Sequence, residues 1–183
     1  DWLDEYNVDA VLWVGNPGFY GMPGAIRVVT GEVNPSGHTT ATFAANSLSA
    51  PSAENFGLHA YNYGSKTPRA AGDSFVSYNE GIYVGYRYYD TKQVPVRFAF
   101  GHGLSYTEFA YSNLQLSAPA LQDGQTVTVS VDVTNTGKVA GREVVQLYIR
   151  DKNGTPERPS KELRGFAKVL LEPGECKTVT LTL

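Results

Sequence analysis

The chain has 183 residues, of which 42% are hydrophobic and 18% are charged, and its formal net charge is −3. These proportions are typical of a globular chain with one or two domains and exclude a disordered one. Its 15 basic and 18 acidic residues are interspersed without a basic stripe, so we expect no nucleic-acid partner. No apolar run approaches the roughly 18 residues of a membrane span, so we expect no membrane partner.

The cysteines and histidines of the chain do not indicate a metal or cofactor site. Cys176 is the only cysteine, which excludes a disulfide framework and a cysteine-based metal site. The three histidines, His38, His59 and His102, are far apart and lack the spacing of zinc ligands. We therefore expect no metal and no cofactor. The chain starts at Asp1 and carries no recognisable targeting segment, so the sequence leaves the compartment open.

The first segment reads as a strand, a loop and a helix. Residues 8–14 form a nearly continuous apolar run, typical of a strand buried on both faces of a parallel sheet. Residues 15–18 (GNPG) break the run, and helical spacing then predicts a helix over 24–30 that ends at Gly31. The glycine-rich loop either binds a ligand at the carboxyl edge of the sheet or merely turns the chain.

The next segment loses its periodicity. Residues 34–37 (NPSG) predict a turn, because Pro35 presets φ for its second position. Residues 39–43 alternate weakly and suggest one more strand, while residues 44–74 show no regular pattern. Such a long irregular stretch is unusual inside a compact domain, so we expect it to be functional or draped over a neighbour.

Aromatic residues dominate the region that follows. Residues 82–89 alternate as in a strand with two aromatic faces, and residues 98–106 form an aromatic, glycine-rich connector. From about Tyr111 the pattern is all-β: valines alternate at 127–133, residues 135–137 (NTG) turn the chain, and alternation returns at 145–149 and 179–183. Short strands at this spacing are typical of an antiparallel sandwich.

The predicted fold class is an α/β remnant followed by an all-β immunoglobulin/fibronectin-III-like sandwich. We place the end of the α/β-sandwich domain at residues 1–50, a loop and connector at 51–110, and the sandwich at 111–183. Both domains are expected to be truncated. The sandwich segment is shorter than the roughly 100 residues of such domains, and one strand with one helix cannot form a doubly wound sheet.

Several segments in order resemble one family, the family 3 glycoside hydrolases. The first set is residues 34–37 (NPSG), 78–90 (YNEGIYVGYRYYD) and 98–107 (FAFGHGLSYT). The second set is similar to the fibronectin-III-like domain of these enzymes: residues 135–137 (NTG), 141–148 (GREVVQLY), 158–159 (RP), 161–166 (KELRGF) and 171–175 (LEPGE). The resemblance extends from about Ala10 to the end of the chain.

This resemblance implies a fragment of a retaining β-glycosidase, most commonly a β-glucosidase acting on terminal β-D-glucosyl residues. In the family, an aspartate nucleophile comes from a barrel domain and a glutamate acid/base from the α/β domain, about 5 Å apart. The resemblance places both outside this chain, so no catalytic residue is assigned here and the chain alone is expected to be inactive. Its expected partners are the substrate and the missing barrel and α/β domains, which can be circularly permuted.

Within the chain, Glu80 is the candidate catalytic carboxylate, because aromatic burial would raise its pKa. The interpretation that we favour is structural: Glu80 pairs with Arg87 or caps backbone amides. Phe19 and Tyr20 are the candidate substrate-binding residues, because they lie on a loop at the edge of the predicted sheet. The chain departs from its relatives here, since they carry Gln-Glu at these two positions. His38 likewise stands where many relatives have Arg or Lys.

Two other functions remain open at this point. A free-standing carbohydrate-binding module would use Phe19, Tyr20 and the tyrosine cluster as a stacking platform. A purely structural interaction domain is suggested by the sandwich alone, although the α/β remnant counts against it.

Overall fold

The computed structural model of the chain describes residues 2–46, 48–53, 78–120, 122, 124–152 and 158–183. The chain divides into two compact units, Asp1–Pro35 and Ser36–Leu183. Within the described residues, no helix is both long enough and apolar enough to cross a membrane.

Three helices and seven strands are present in the described residues. The helices are α1 (Trp2–Glu5), α2 (Met22–Val29) and α3 (Tyr86–Lys92), and a short 3₁₀ turn covers Pro51–Ala53. The strands are β1 (Phe43–Ala44), β2 (Val96–Phe98), β3 (Phe109–Leu116), β4 (Thr128–Asn135), β5 (Gly141–Ile149), β6 (Glu162–Leu171) and β7 (Cys176–Thr182).

Helix α2 confirms the prediction for the first unit and begins two residues earlier than expected. Pro23 lies in its first turn, where the missing N–H costs no helical hydrogen bond. At the other end, the Thr30 N–H donates to the carbonyl oxygen of Ile26, 2.9 Å away. Gly31 follows with φ 76°, a left-handed conformation that glycine adopts without strain, and the helix stops there.

The predicted strand at residues 8–14 is wrong. This segment is irregular, and its apolar side chains, Trp13 among them, are exposed. A strand needs a neighbour to accept and donate its backbone hydrogen bonds. Among the described residues of the first unit no second strand provides one. The turn predicted at residues 34–37 is also absent, because these residues form no turn and no regular element.

Of the strand predicted at residues 39–43, only Phe43 lies in a strand, because β1 covers Phe43–Ala44. Strand β1 pairs antiparallel with β2, and the rings of Phe43 and Phe98 meet edge to face at 6.0 Å. Thr39 instead holds the connector: its N–H donates to His102 O, and its hydroxyl donates to Ala99 O. Of the irregular stretch predicted at 44–74, residues 54–74 lie outside the described part of the chain.

The prediction of a strand at residues 82–89 is also wrong, because this segment turns and then forms helix α3. Gly81 and Gly85 both have positive φ, 59° and 54°, which breaks an extended chain at two points. The aromatic residues that seemed to alternate include Tyr86 and Tyr89, which are three apart and share one helical face. Gln93, with φ 55°, ends the helix.

The sandwich is confirmed. Strands β3, β4 and β7 form one antiparallel sheet in the order β3-β4-β7, and β5 pairs antiparallel with β6 in a second sheet. The valines predicted to alternate along β4 share the face that packs on the core: Val129 and Val133 are buried, and Val131 is partly buried against the core. Both sheets contribute to the core, whose buried centre consists of Val133, Val145, Leu171 and Val179.

A fully buried asparagine joins the turns of the sandwich. Asn135, at the end of β4, has no exposed surface. Its side-chain nitrogen donates to the carbonyl oxygens of Val139 (2.8 Å) and Leu171 (3.0 Å). Its side-chain oxygen accepts from the Thr107 hydroxyl (2.6 Å) and the Gly137 N–H (3.1 Å). Its backbone N–H and C=O bind the β6–β7 turn, so every polar group of this residue is satisfied.

A second contact joins the two sheets through side chains. The Tyr111 hydroxyl on β3 donates a 2.7 Å hydrogen bond to the Glu143 carboxylate on β5. Partial burial, followed by this bond and the negative charge of Glu143, raises the pKa of Tyr111. The neutral phenol is therefore the form that the folded chain stabilises.

Replacing Asn135 with Ala should destabilise the sandwich by about 3 kcal/mol, because several buried polar groups would lose their partners at once. The loss would be measured as a lower urea midpoint at an unchanged m value. Thr136→Ala, an exposed neighbour, should change stability by no more than about 0.5 kcal/mol. Equal midpoints for Asn135→Ala and the wild type would contradict the role assigned to this residue.

The Tyr111–Glu143 bond should make folding sensitive to alkali. Because the folded-state pKa of Tyr111 is raised, its contribution is fully present below the unfolded pKa of about 10 and is lost as the pH rises towards the folded value. The free energy of unfolding, measured from pH 7 upwards, should fall more steeply above about pH 10 in the wild type than in Tyr111→Phe. Tyr78→Phe, an exposed control, should keep the wild-type slope, and parallel curves for Tyr111→Phe and the wild type would refute this account.

Candidate functional site

Helix α3 is attached to the sandwich through Tyr86. Its ring packs against Phe100 of the connector, with centroids 5.1 Å apart, and meets Tyr148 of β5 edge to face at 5.8 Å. Its hydroxyl oxygen accepts a 2.8 Å hydrogen bond from the Leu163 N–H of β6. One side chain therefore bonds the helix to the connector and to both strands of the second sheet.

Charged and polar pairs surround this contact. The Lys161 ammonium lies 3.0 Å from Asp90 and 5.1 Å from the Tyr148 ring, while the Thr91 hydroxyl accepts the Ser160 N–H at 2.9 Å. Partly exposed pairs of this kind contribute about 0–1 kcal/mol each, so they orient the helix more than they stabilise it. Burial raises the pKa of Tyr148, with smaller contributions from Tyr86 and Asp90.

The connector at residues 98–107 follows a path that requires its glycines. A Cβ at Gly103 would overlap the carbonyl oxygen of Gly37 and press on the His38 ring. Gly101 has φ 79°, and a Cβ there would overlap the Gln146 side chain of β5. The aromatic and glycine-rich composition of this segment thus has a physical cause: its backbone lies directly against neighbouring chain.

A pocket of about 490 Å³ opens beside α3, within the second unit. We call it the α3 pocket and define it by its lining residues, which come from the chain before β1, from the 3₁₀ turn and from the α3 region. They are Thr40, Ala41, Thr42, Pro51, Ser52, Tyr78, Glu80, Val84, Gly85, Tyr86, Tyr89 and Phe100. Four of them are aromatic, and Glu80 is the one ionisable carboxylate of this set.

The candidate residues lie in different places. Glu80 lines the α3 pocket, and its carbonyl accepts the Tyr83 N–H at 3.0 Å. The pairing of Glu80 with Arg87 is not seen among the described residues, where Arg87 lies 3.7 Å from Glu162 instead. Phe19 and Tyr20 belong to the other compact unit, where their side chains are 100% and 94% exposed on a turn.

Residues that could hold a metal are not assembled in this part of the chain. Within the ranges that the structure describes, no group of three or more His, Cys, Asp or Glu residues is close enough to bind an ion.

Two important residues escaped the sequence analysis. Tyr86 was grouped with a predicted strand, although its spacing of three from Tyr89 was a helical signal. Asn135 was interpreted only as part of a turn, and nothing local distinguishes a buried asparagine from an exposed one. The Thr107 and Leu171 groups that it binds are 28 and 36 residues away.

Comparison with known proteins agrees with this architecture. The family profile of the Glycosyl hydrolase family 3 C-terminal domain matches residues 1–86, and that of the Fibronectin type III-like domain matches residues 143–183. The second match covers most of β5 and all of β6 and β7 of the sandwich.

The chain is also similar to a part of several longer proteins. It is 44% identical to thermostable beta-glucosidase B of Acetivibrio thermocellus over 183 residues, which is 100% of this chain and 22% of that protein. It is 44% identical to beta-glucosidase B of Emericella nidulans over 184 residues, 99% of this chain and 21% of that protein. The chain thus spans about a fifth of the length of these relatives.

Solved structures give the same result. A beta-D-glucoside glucohydrolase from Trichoderma reesei superimposes with a TM-score of 0.77 at 34% identity, over 99% of this chain and 26% of that one. The beta-glucosidase 3B of Thermotoga neapolitana superimposes with a TM-score of 0.70 at 41% identity, over 87% of this chain and 20% of that one. The chain therefore belongs to glycoside hydrolase family 3, since it carries the C-terminal domain of that family followed by a fibronectin type III-like domain.

Proposed function

We propose that the chain is the supporting, non-catalytic part of a retaining β-glucosidase that hydrolyses terminal β-D-glucosyl residues. The reacting aspartate and glutamate would lie on barrel and α/β segments of a longer polypeptide. In that enzyme, residues 1–50 would complete the α/β domain, residues 51–110 would connect it to the sandwich at 111–183, and the whole would brace the substrate cleft.

The observation that carries this proposal is the attachment of α3 through Tyr86. A binding module needs only its own fold, whereas here a helix outside the sandwich is fastened to it by ring packing and by the Leu163 N–H. These side chains are half-buried, so each contact contributes a part of the roughly 1.5–3 kcal/mol that a fully buried apolar side chain contributes. They favour a rigid assembly that holds neighbouring segments in place. The names of the similar proteins, all beta-glucosidases, support the activity.

The proposal separates catalysis from support, and an aryl β-glucoside assay tests it. The full polypeptide should hydrolyse the substrate with retention of the anomeric configuration, whereas the purified 183-residue chain, shown to be folded by circular dichroism, should not. Tyr86→Ala in the full polypeptide should lower the temperature of half-inactivation, because it removes the packing that fastens α3 to the sandwich.

The control for this variant is Tyr78→Phe, which keeps the ring and should leave the temperature of half-inactivation unchanged. Turnover by the isolated chain would overturn the proposal. So would a Tyr86→Ala enzyme whose heat resistance equals that of the wild type.

A direct role in sugar binding is proposed for Phe19 and Tyr20. Two adjacent aromatic side chains that are almost wholly exposed on a turn are available to stack on the apolar face of a pyranose. The exposure of the same two rings is also the observation that favours the second candidate function, a carbohydrate-binding module that acts without the rest of an enzyme.

Replacing both Phe19 and Tyr20 with Ala in the full polypeptide should raise KM about tenfold with little change in kcat, because the stacking would be lost equally from ground and transition states. Tyr6→Ala is the matched control, since Tyr6 is an exposed aromatic residue of the same unit. If Tyr6→Ala raises KM as much as the double substitution does, Phe19 and Tyr20 have no specific role in sugar binding. Retardation of the isolated chain in a β-glucan gel, abolished by the double substitution, would favour the binding-module function instead.

A further inference from the structure

We propose that the α3 pocket is a binding site for a neutral pyranose. This inference rests on the proposed function, because it takes the substrate class of the enzyme as its ligand. It concerns residues 40–42, 51–52 and 78–100 rather than the loop that carries Phe19 and Tyr20.

The size of the pocket is appropriate for a sugar. Its volume of about 490 Å³ lies within the approximately 300–1,000 Å³ of small-molecule sites. Such sites combine apolar and aromatic walls with a few polar groups that orient the ligand. The α3 pocket has this composition.

The walls of the pocket offer flat apolar surfaces. Tyr86, Tyr89 and Phe100 are among its lining residues, and Tyr86 is held in place by Tyr148 and by the Leu163 N–H. Tyr78 lines the pocket as well, yet 84% of its surface is exposed. An aromatic ring with so much free surface is available to the CH groups of a pyranose ring without prior rearrangement.

The polar groups select for a neutral, hydroxyl-rich ligand. Glu80 supplies a carboxylate, an acceptor for two sugar hydroxyls, and Thr40 and Ser52 supply hydroxyls that donate and accept. No Lys, Arg or His belongs to the residues described as lining the pocket. Because none of these described lining residues is a cation, the charge of Glu80 disfavours phosphates, sulfates and uronic acids.

One other ligand class shares part of this chemistry. Aromatic rings with a single carboxylate also attract organic cations such as quaternary ammonium groups. The hydroxyls among the lining residues favour the sugar, because a quaternary ammonium group has no hydrogen-bond donor for them to bind.

The experiment is a titration of the 183-residue chain with methyl β-D-glucopyranoside and cellobiose, followed by saturation-transfer NMR, with tetramethylammonium as the competing probe. We expect the saccharides to bind and the ammonium ion not to displace them. Tyr78→Ala and Glu80→Gln should each weaken saccharide binding about tenfold or more, the equivalent of about 1.4 kcal/mol. Phe166→Ala, at an exposed aromatic position on β6, is the matched control and should bind as the wild type does.

Glu80→Gln is nearly isosteric, so its circular dichroism should match that of the wild type, and a change in binding can then be assigned to the carboxylate. Absence of saccharide binding, preferential binding of the ammonium ion, or equal weakening by Phe166→Ala would each overturn the proposal. Hydrolysis of an aryl β-glucoside by the full polypeptide tests the proposed function separately. If the full polypeptide is active but the isolated chain binds no saccharide, only the proposal that the α3 pocket binds a pyranose is contradicted.

Discussion

The satisfaction of one buried amide is the constraint on which the sandwich depends. Asn135 has no exposed surface, so each of its polar groups must find a protein partner or cost free energy. Its partners belong to the connector, the β4–β5 turn, the end of β6 and the β6–β7 turn. Strand ends that are far apart in sequence are therefore fixed relative to one another by a residue that carries no charge.

The segment before the sandwich is also fixed by contacts with residues that are distant in sequence. Thr107, which binds Asn135, ends a connector whose backbone lies so close to Gly37 and Gln146 that glycines are needed at 103 and 101. Tyr86 then fastens α3 to both strands of the second sheet, with an apolar ring for packing and a hydroxyl for the Leu163 N–H. These contacts fix α3 and the connector against the second sheet, and they leave an aromatic pocket beside the helix.

Prediction from sequence succeeded where the pattern was set by local geometry. In β4 and β7, alternation with a period of two matches the two faces of a strand, and the buried valines at 129, 133 and 179 agree with it. Helix α2 was predicted from the helical spacing of Ala25, Val28 and Val29, and Gly31, with φ 76°, is the stop that was expected. Prediction failed at residues 8–14, because a strand forms only where a neighbouring strand can pair with it. It also failed at residues 82–89, where closely spaced tyrosines fit both the strand period and the helix period. There the positive φ angles of Gly81 and Gly85 break an extended chain, and the helix forms.

The sequence by itself determined the family resemblance, the sandwich class and the positions of most of its strands, because these follow from motif order, residue periodicity and turn chemistry. Only the tertiary structure decided that Asn135 is a buried junction, that Tyr86 joins a helix to two strands and that Glu80 lines a pocket. These properties depend on contacts between residues such as Tyr86 and Leu163, which are 77 positions apart. A local pattern carries no information about such partners, since burial and hydrogen bonding are settled only when the distant segments meet.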